Sequence, residues 1–217
     1  MPLFPLPNCV LLPHATIPLH IFEQRYRAMT SDSLDSRGLI AMASFDGDQW
    51  TTEYEGNPPV RPHVCIGYIV KHRRFKDGRY DVLLQGVCRA RILEEVEHGP
   101  YRTAILEPTE SQSTLEIDLD SSRHRIEQLL GDETLKSLKS VNAIHNWLSR
   151  EVPTAAVVDL AIMTLCDSAE QRYAMLAEPD AATRAHWLEQ RLHETRRTLT
   201  IADRLGPAEG QDGVHLN

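Results

Sequence analysis

Long hydrophobic runs are scarce in this chain of 217 residues. The stretch from Ala155 to Cys166 covers about twelve residues and carries Asp159, whereas a membrane-spanning helix takes roughly twenty. The other apolar segment is the opening, PLFPLPNCVLLPHATIPLHIFEQRY, from Pro2 to Tyr26. It has no basic residue before Arg25, and Pro13, His14 and Pro18 interrupt it, which argues against an export signal. The expectation is a cytoplasmic protein without membrane contact.

Lysine is also rare: there are four, Lys71, Lys76, Lys136 and Lys139. Two stand in a basic segment and two on a helical one, none in a setting that would depress its pKa, so a Ser–Lys catalytic pair has no support. None of the eleven glycines is followed by Lys, which excludes the loop whose backbone amides and Lys cradle nucleotide phosphates. The patterns GxSxG, HExxH and GxGxxG are absent too. The four cysteines, Cys9, Cys65, Cys88 and Cys166, are scattered without a CxxC pair, giving neither a disulfide framework nor a zinc knuckle. Their apolar contexts raise a thiol pKa and disfavour a nucleophile. Cys9, His14 and His20 have metal-ligating chemistry, but their spacing fits no common zinc module. No catalytic residue, metal or cofactor is expected.

Acidic residues outnumber basic ones 31 to 23, so the whole protein has no electrostatic reason to seek nucleic acid or anionic lipid. An apolar fraction of 41% with 25% charged residues is ordinary globular composition.

Two textures divide the chain. In the first, prolines at 2, 5, 7, 13 and 18 forbid a helix interior, and Val10-Leu11-Leu12 between them suits a short strand. Phe22, Tyr26 and Met29 fall at helical spacing, so a helix is expected from Pro18, placed in its first turn, to about Leu34. Strands follow at 39–43, 64–70, 80–84, 89–96 and 101–107. Asp77-Gly78 has the composition of a two-residue type I′ hairpin turn. Residues 46–62 read as a long loop in which Trp50 and Tyr54 either pack back on the sheet or line a ligand site.

The second texture is helical: residues 116–131, 134–150, a helix opened by Val152-Pro153, one capped by Ser168 with Gln171 in capping-box spacing, and a last one capped by Asp180 and ended by Gly206. The order is a segregated α+β arrangement: a β-rich part over 1–112, a helical bundle over 113–205 and a flexible tail over 206–217. The long last helix leaves self-association open.

Two charged groups deserve a functional weighing. The segment KHRRFK, with Lys71, Arg73, Arg74 and Lys76, has the composition of a nucleic-acid contact, or of a solvated arm blunting a sheet edge; the second reading is favoured. Glu23 at an apolar helix start calls for a cation, which Arg25 or Arg89 could supply as a structural ion pair.

The opening segment PLFPLPNCVLLPHATIPLHIFEQRYRAM resembles that of the Lon N-terminal, or LON substrate-binding, domain family. Similar pieces follow in order: CIGYIV around Gly67, DGRYDVLLQGVCRARI from Asp77 to Ile92, PYRTA from Pro100 to Ala104, and EQRYAMLAEPDAATRAHWLEQRL from Glu170 to Leu192. The resemblance implies a PUA-like β pseudo-barrel with one early helix, followed by a helical bundle. It also implies a free-standing bacterial form without the ATPase and Ser–Lys peptidase modules of Lon protease, hence a chain that is not itself an enzyme. His14 stands where many members have Gly, and Gln24 where many have Pro.

The resulting expectation is a non-catalytic module that binds exposed hydrophobic segments of unfolded or client polypeptides, in concert with a separate protease or alone. An apolar groove between the β part and the helices would hold them, with Phe22, Tyr26, Trp50 and Tyr54 as contacts because aromatics dominate such sites. The alternative is weak RNA binding through the basic segment.

Overall fold

A computed structural model describes residues 1–54, 56–96, 99–109, 115–141, 144 and 152–205. The first part forms strands β1 (Leu3–Leu6), β2 (Thr16–Ile21), β3 (Leu39–Ser44), β4 (His63–Arg74), β5 (Tyr80–Val96) and β6 (Thr103–Pro108), with helix α1 (Gln24–Leu34) between β2 and β3. The second carries α2 (Glu116–Leu130), α3 (Glu133–Lys136), α4 (Thr154–Leu165), α5 (Ala169–Ala177) and α6 (Ala181–Leu205).

The sheet order is β1-β3-β4-β5-β2, with β6 also paired to β5. One strand can take both because β5 is long: its first half, Tyr80–Gln85, pairs with β2, and its second, Ala90–Val96, with β6. β1 runs parallel to β3 and lies on its other side against β6, through Leu3 N–H to Arg102 O and Ala104 N–H to Met1 O, both 2.9 Å. β1, β3, β4, β5 and β6 therefore close a ring, which removes most free edges. Its interior is narrow, and small residues fill it: Ala41, Ala43, Ala90 and Ala104 pack with Leu3 and Val64.

A second, larger core covers the outside of the ring and runs on into the helices, from Phe4, Leu11, Leu12, Tyr26, Met29 and Leu84 to Ile126, Val157, Ile162 and Leu188. Burying apolar area is worth about 25 cal/mol per Å2, and here one continuous cluster joins both parts of the chain. Polar contacts pin the junction. Arg89 on β5 donates to both oxygens of Asp159 on α4 at 2.6 and 2.9 Å, and the Arg184 guanidinium of α6 lies 3.2 Å from the same carboxylate. Nearer the surface, Arg61 pairs with Glu170 at 2.8 Å, and the Tyr173 hydroxyl accepts from His63 N–H at 3.0 Å.

Several expectations need correction. Val10-Leu11-Leu12 is buried but not a strand; the first strand is Leu3–Leu6. Pro18 is not in a helix but inside β2, opposite Leu83, at the end of the sheet order, where Pro is tolerated. α1 then starts at Gln24. The strands expected at 80–84 and 89–96 are one, because register shifts carry the pairing across the interval. The hairpin turn is not the two-residue type. Phe75 N–H bonds Arg79 O at 2.9 Å and Gly78 N–H bonds Phe75 O at 3.0 Å, with positive φ at Gly78 and not at Asp77, which is a three-residue loop closed by a left-handed Gly. The Ser168 and Asp180 side chains do cap their helices, accepting from the backbone N–H of Gln171 at 3.3 Å and Thr183 at 2.9 Å. The helix expected over 134–150 is interrupted, since α3 ends at Lys136 and the chain turns at residues 137 and 138; residues 142–143 and 145–150, and the tail from 206, lie outside the described residues.

Candidate functional site

Helix α1 separates two clefts. Arg25 and Tyr26 face the first, and Gln24, Arg27 and Ser31 the second. The first holds about 810 Å3 between α1, the loop at Asn57 and Pro59, and the end of the β5–β6 hairpin at Val96, Pro100, Tyr101 and Arg102.

The charged groups and hydroxyls of this cleft that lie on α1 and the hairpin are engaged. Arg25 pairs with Glu23 at 3.0 Å. Arg102 holds Glu95 through two bonds of 2.6 and 2.8 Å and donates to Pro58 O at 2.7 Å. The Tyr101 hydroxyl donates to Asp32 at 2.8 Å, and that of Thr103 to Val96 O at 2.7 Å. Burial, then the Asp32 carboxylate, push the Tyr101 pKa up to about 12, so this phenol stays a donor. The cleft walls expose more polar than apolar surface, Asn57 included; to an apolar ligand they offer ring faces and hydrocarbon from Pro59, Val96 and Pro100, with no lone cation or nucleophile among the described walls.

Four of the residues singled out from the sequence, Glu23, Arg25, Tyr26 and Tyr54, meet at its rim. The Arg25 guanidinium lies between the rings of Tyr26, at 4.6 Å, and Tyr54, at 4.9 Å, and the Tyr54 hydroxyl donates to Glu23 at 3.0 Å. Burial opposes the Arg25 charge, yet Tyr26, Glu23 and Tyr54 outweigh it and raise its pKa. Burial raises both tyrosine pKa values. Tyr26 itself is buried, edge-on to Phe4 at 4.5 Å. Trp50 stacks on Phe45 at 6.0 Å, and Tyr54 meets the same ring edge-on at 5.9 Å. Phe22 is not part of this group: it is exposed and stacks on His20 at 6.3 Å. Arg89 does not reach Glu23; its carboxylate is Asp159.

The junction expected to hold an apolar groove is packed with core side chains and the Arg89–Asp159 pair. Lys71, Arg73, Arg74 and Lys76 are exposed along the β4–β5 arm, Arg73 lying 5.0 Å over the Phe75 ring. Two carboxylates there are occupied, Asp77 by Arg79 at 2.8 Å and Asp81 by His20 at 2.6 Å. Burial raises the thiol pKa values of Cys9 and Cys65.

Residues 1–193 match the family described as the ATP-dependent protease La (LON) substrate-binding domain. The chain belongs to that family. Lon protease 2 of Myxococcus xanthus is 23% identical over 96% of this chain and 25% of its own length, and Lon protease of Dictyoglomus thermophilum is 30% identical over 54% of this chain and 15% of its own. The chain thus spans about a quarter or less of the length of these relatives. Two solved structures share the fold: the N-terminal domain of Mycobacterium avium complex Lon protease, with a TM-score of 0.67 at 16% identity over 89% and 97% of the two chains, and the Lon N-terminal domain protein from Xanthomonas campestris, with a TM-score of 0.60 at 22% identity over 87% and 95%. No described helix of this LON domain is long and apolar enough to cross a membrane.

Sequence reasoning did not find the far wall of the first cleft. Gly99-Pro100 before Tyr101-Arg102 is a turn signal, but nothing local says that this turn folds back against α1. Asp159, alone in an apolar run, was the visible hint of a buried partner.

Proposed function

We propose that this LON domain binds exposed apolar segments of polypeptides in the first cleft and carries out no chemistry on them. The observation that supports this is the pairing of Arg25 with Glu23 and Arg102 with Glu95 in its walls, beside the half-exposed Val96. With the charges cancelled in pairs, apolar contact with Val96 and Pro100 rewards a ligand at about 25 cal/mol per Å2 buried. The aromatics Tyr26 and Tyr54 hold the Arg25 side of the rim, while Trp50 stiffens the loop behind it; direct contact falls to Tyr101, Val96 and Pro100. On this reading the protein works in the cytoplasm as a recognition module, supplying clients to a separate protease.

The test is retention of unstructured peptides on the immobilised protein at physiological salt. Aromatic-rich peptides should be retained, and Val96→Asp, a change at an exposed position, should weaken that retention with the unfolding temperature unchanged. Equal binding by Val96→Asp and wild type rejects this cleft. A second reading, weak RNA binding, is favoured by the exposure of Lys71, Arg73, Arg74 and Lys76. It requires salt-sensitive RNA retention that Arg73→Ala with Arg74→Ala abolishes.

A further inference from the structure

The second cleft, of about 490 Å3, has opposite chemistry. Gln24, Arg27 and Ser31 on α1 face Arg74 and Tyr80 across it, with Gly78 of the hairpin at one end, and no acidic residue lines it. Arg27 is fixed from behind. Its Nε donates to Gly78 O at 2.9 Å, and its guanidinium lies so close over Gly78 that a Cβ there would stand 2.0 Å from a terminal nitrogen. The positive φ of Gly78 and its missing side chain are both needed for this seat. Anchoring through Nε leaves the terminal amino groups to the cleft. Arg74 leans toward the Tyr80 ring, 5.7 Å away, and neither arginine has a carboxylate within ion-pair distance among the described residues; that of Asp77 is held by Arg79.

A pre-positioned guanidinium, a second arginine, a hydroxyl and an amide make a donor-rich cleft suited to an oxyanion, and a planar fork matches a carboxylate through two bonds. Exposed Phe22 and His20 and half-buried Phe75 form an aromatic row, with ring separations of 6.3 and 6.1 Å, on the opposite face of the arm, since His20 and Arg73 are in register with Asp81 whereas Arg74 is in register with Tyr80. In a chain whose net charge is -8, this cationic surface steers an anionic partner to one face.

We propose that the α1–hairpin cleft is a subsite for an acidic side chain of a polypeptide client. The client therefore carries an acidic side chain rather than being uniformly apolar. This deepens the substrate-recognition reading and rests on it.

Fluorescence anisotropy with three labelled probes separates the claims: a flexible peptide of Phe, Gly and Glu, the same peptide with Gln for Glu, and a uridine dodecamer. The Glu peptide should bind about tenfold more tightly than the Gln peptide, the worth of one charge-assisted pair, and Arg74→Gln, at an exposed position, should erase that preference while leaving the Gln peptide's affinity unchanged. Arg27→Gln should do the same, with its unfolding midpoint measured in parallel because it anchors the hairpin. Equal affinity for the two peptides overturns the acidic subsite and leaves the first cleft standing. Binding of neither peptide overturns the substrate-recognition reading with it. Tighter binding of the RNA than of the Glu peptide, lost in Arg74→Gln, reassigns the cleft to nucleic-acid phosphate and overturns the proposal.

Discussion

Arg89 and Asp159, 70 residues apart in sequence, form a two-bond ion pair with both side chains only 1% exposed. The pair crosses from β5 to α4, and with Arg184 on α6 it ties strand and helices at one carboxylate. Removing the carboxylate leaves guanidinium charge buried at the junction. Asp159→Asn should cost about 3–5 kcal/mol, read as a lower urea midpoint. A loss below about 1 kcal/mol would mean that the junction does not depend on this charge.

Gly86 marks a close crossing of two chain segments. A Cβ at Gly86 would lie 2.2 Å from Leu12 O, where the segment before β2 is sewn to β5 by Gly86 N–H to Ala15 O and His14 N–H to Gly86 O, both 2.9 Å. Backbone oxygen cannot swing aside as a side chain can, so Gly86→Ala should lose about 3 kcal/mol. Thermal unfolding checks this, and an unchanged midpoint would show that the segment shifts freely.

The backbone at His14 and Gln24 favours residues other than those present. His14 has φ of 66°, a left-handed conformation costing a non-Gly residue about 1–2 kcal/mol, so Gly there is the unstrained choice. Gln24 is the first residue of α1, where Pro is pre-organised and its missing N–H is not needed. His14→Gly should gain up to about 1 kcal/mol after the extra chain entropy of Gly, and Gln24→Pro about 0.5–1 kcal/mol. Both midpoints should rise; a fall in either contradicts the local geometry.

His63 gives the β4–α5 contact a pH dependence. Burial first, then Arg91, lower its pKa below the ordinary value, while its backbone N–H holds the Tyr173 hydroxyl at 3.0 Å. In the window just below about pH 6.5 the unfolded chain takes up a proton that the folded one does not. Stability therefore rises with pH through that window and is lost on acidification. Between pH 7 and 5.5 the wild type should lose more stability than His63→Gln; identical pH profiles would remove His63 from the junction.

What the sequence made legible, and what it did not, follows from distance along the chain. The Ser168 and Asp180 caps act on residues three positions away, and the patterns that announce them are local. The loop carrying Trp50 and Tyr54 packs on Phe45, a few residues before it. By contrast, the partner of Arg89 lies 70 residues away, and the first cleft needs the turn at Gly99–Arg102 to meet a helix that begins at Gln24. Neither distance leaves a periodicity. The helix expected from Pro18 failed for a different reason: the helical spacing of Phe22, Tyr26 and Met29 begins only after β2, and pairing with β5 over Thr16–Ile21 decides the conformation before it.

The most direct measurement is photo-crosslinking of a bound aromatic-rich peptide, carrying a benzophenone at its apolar position, followed by mass-spectrometric mapping. Crosslinks should fall on the walls of the first cleft, at residues 57–59, 96 and 99–103, and should disappear when unlabelled peptide is added in excess. Crosslinks confined to helices α2–α6, or spread over the surface and insensitive to that competition, would contradict recognition in this cleft.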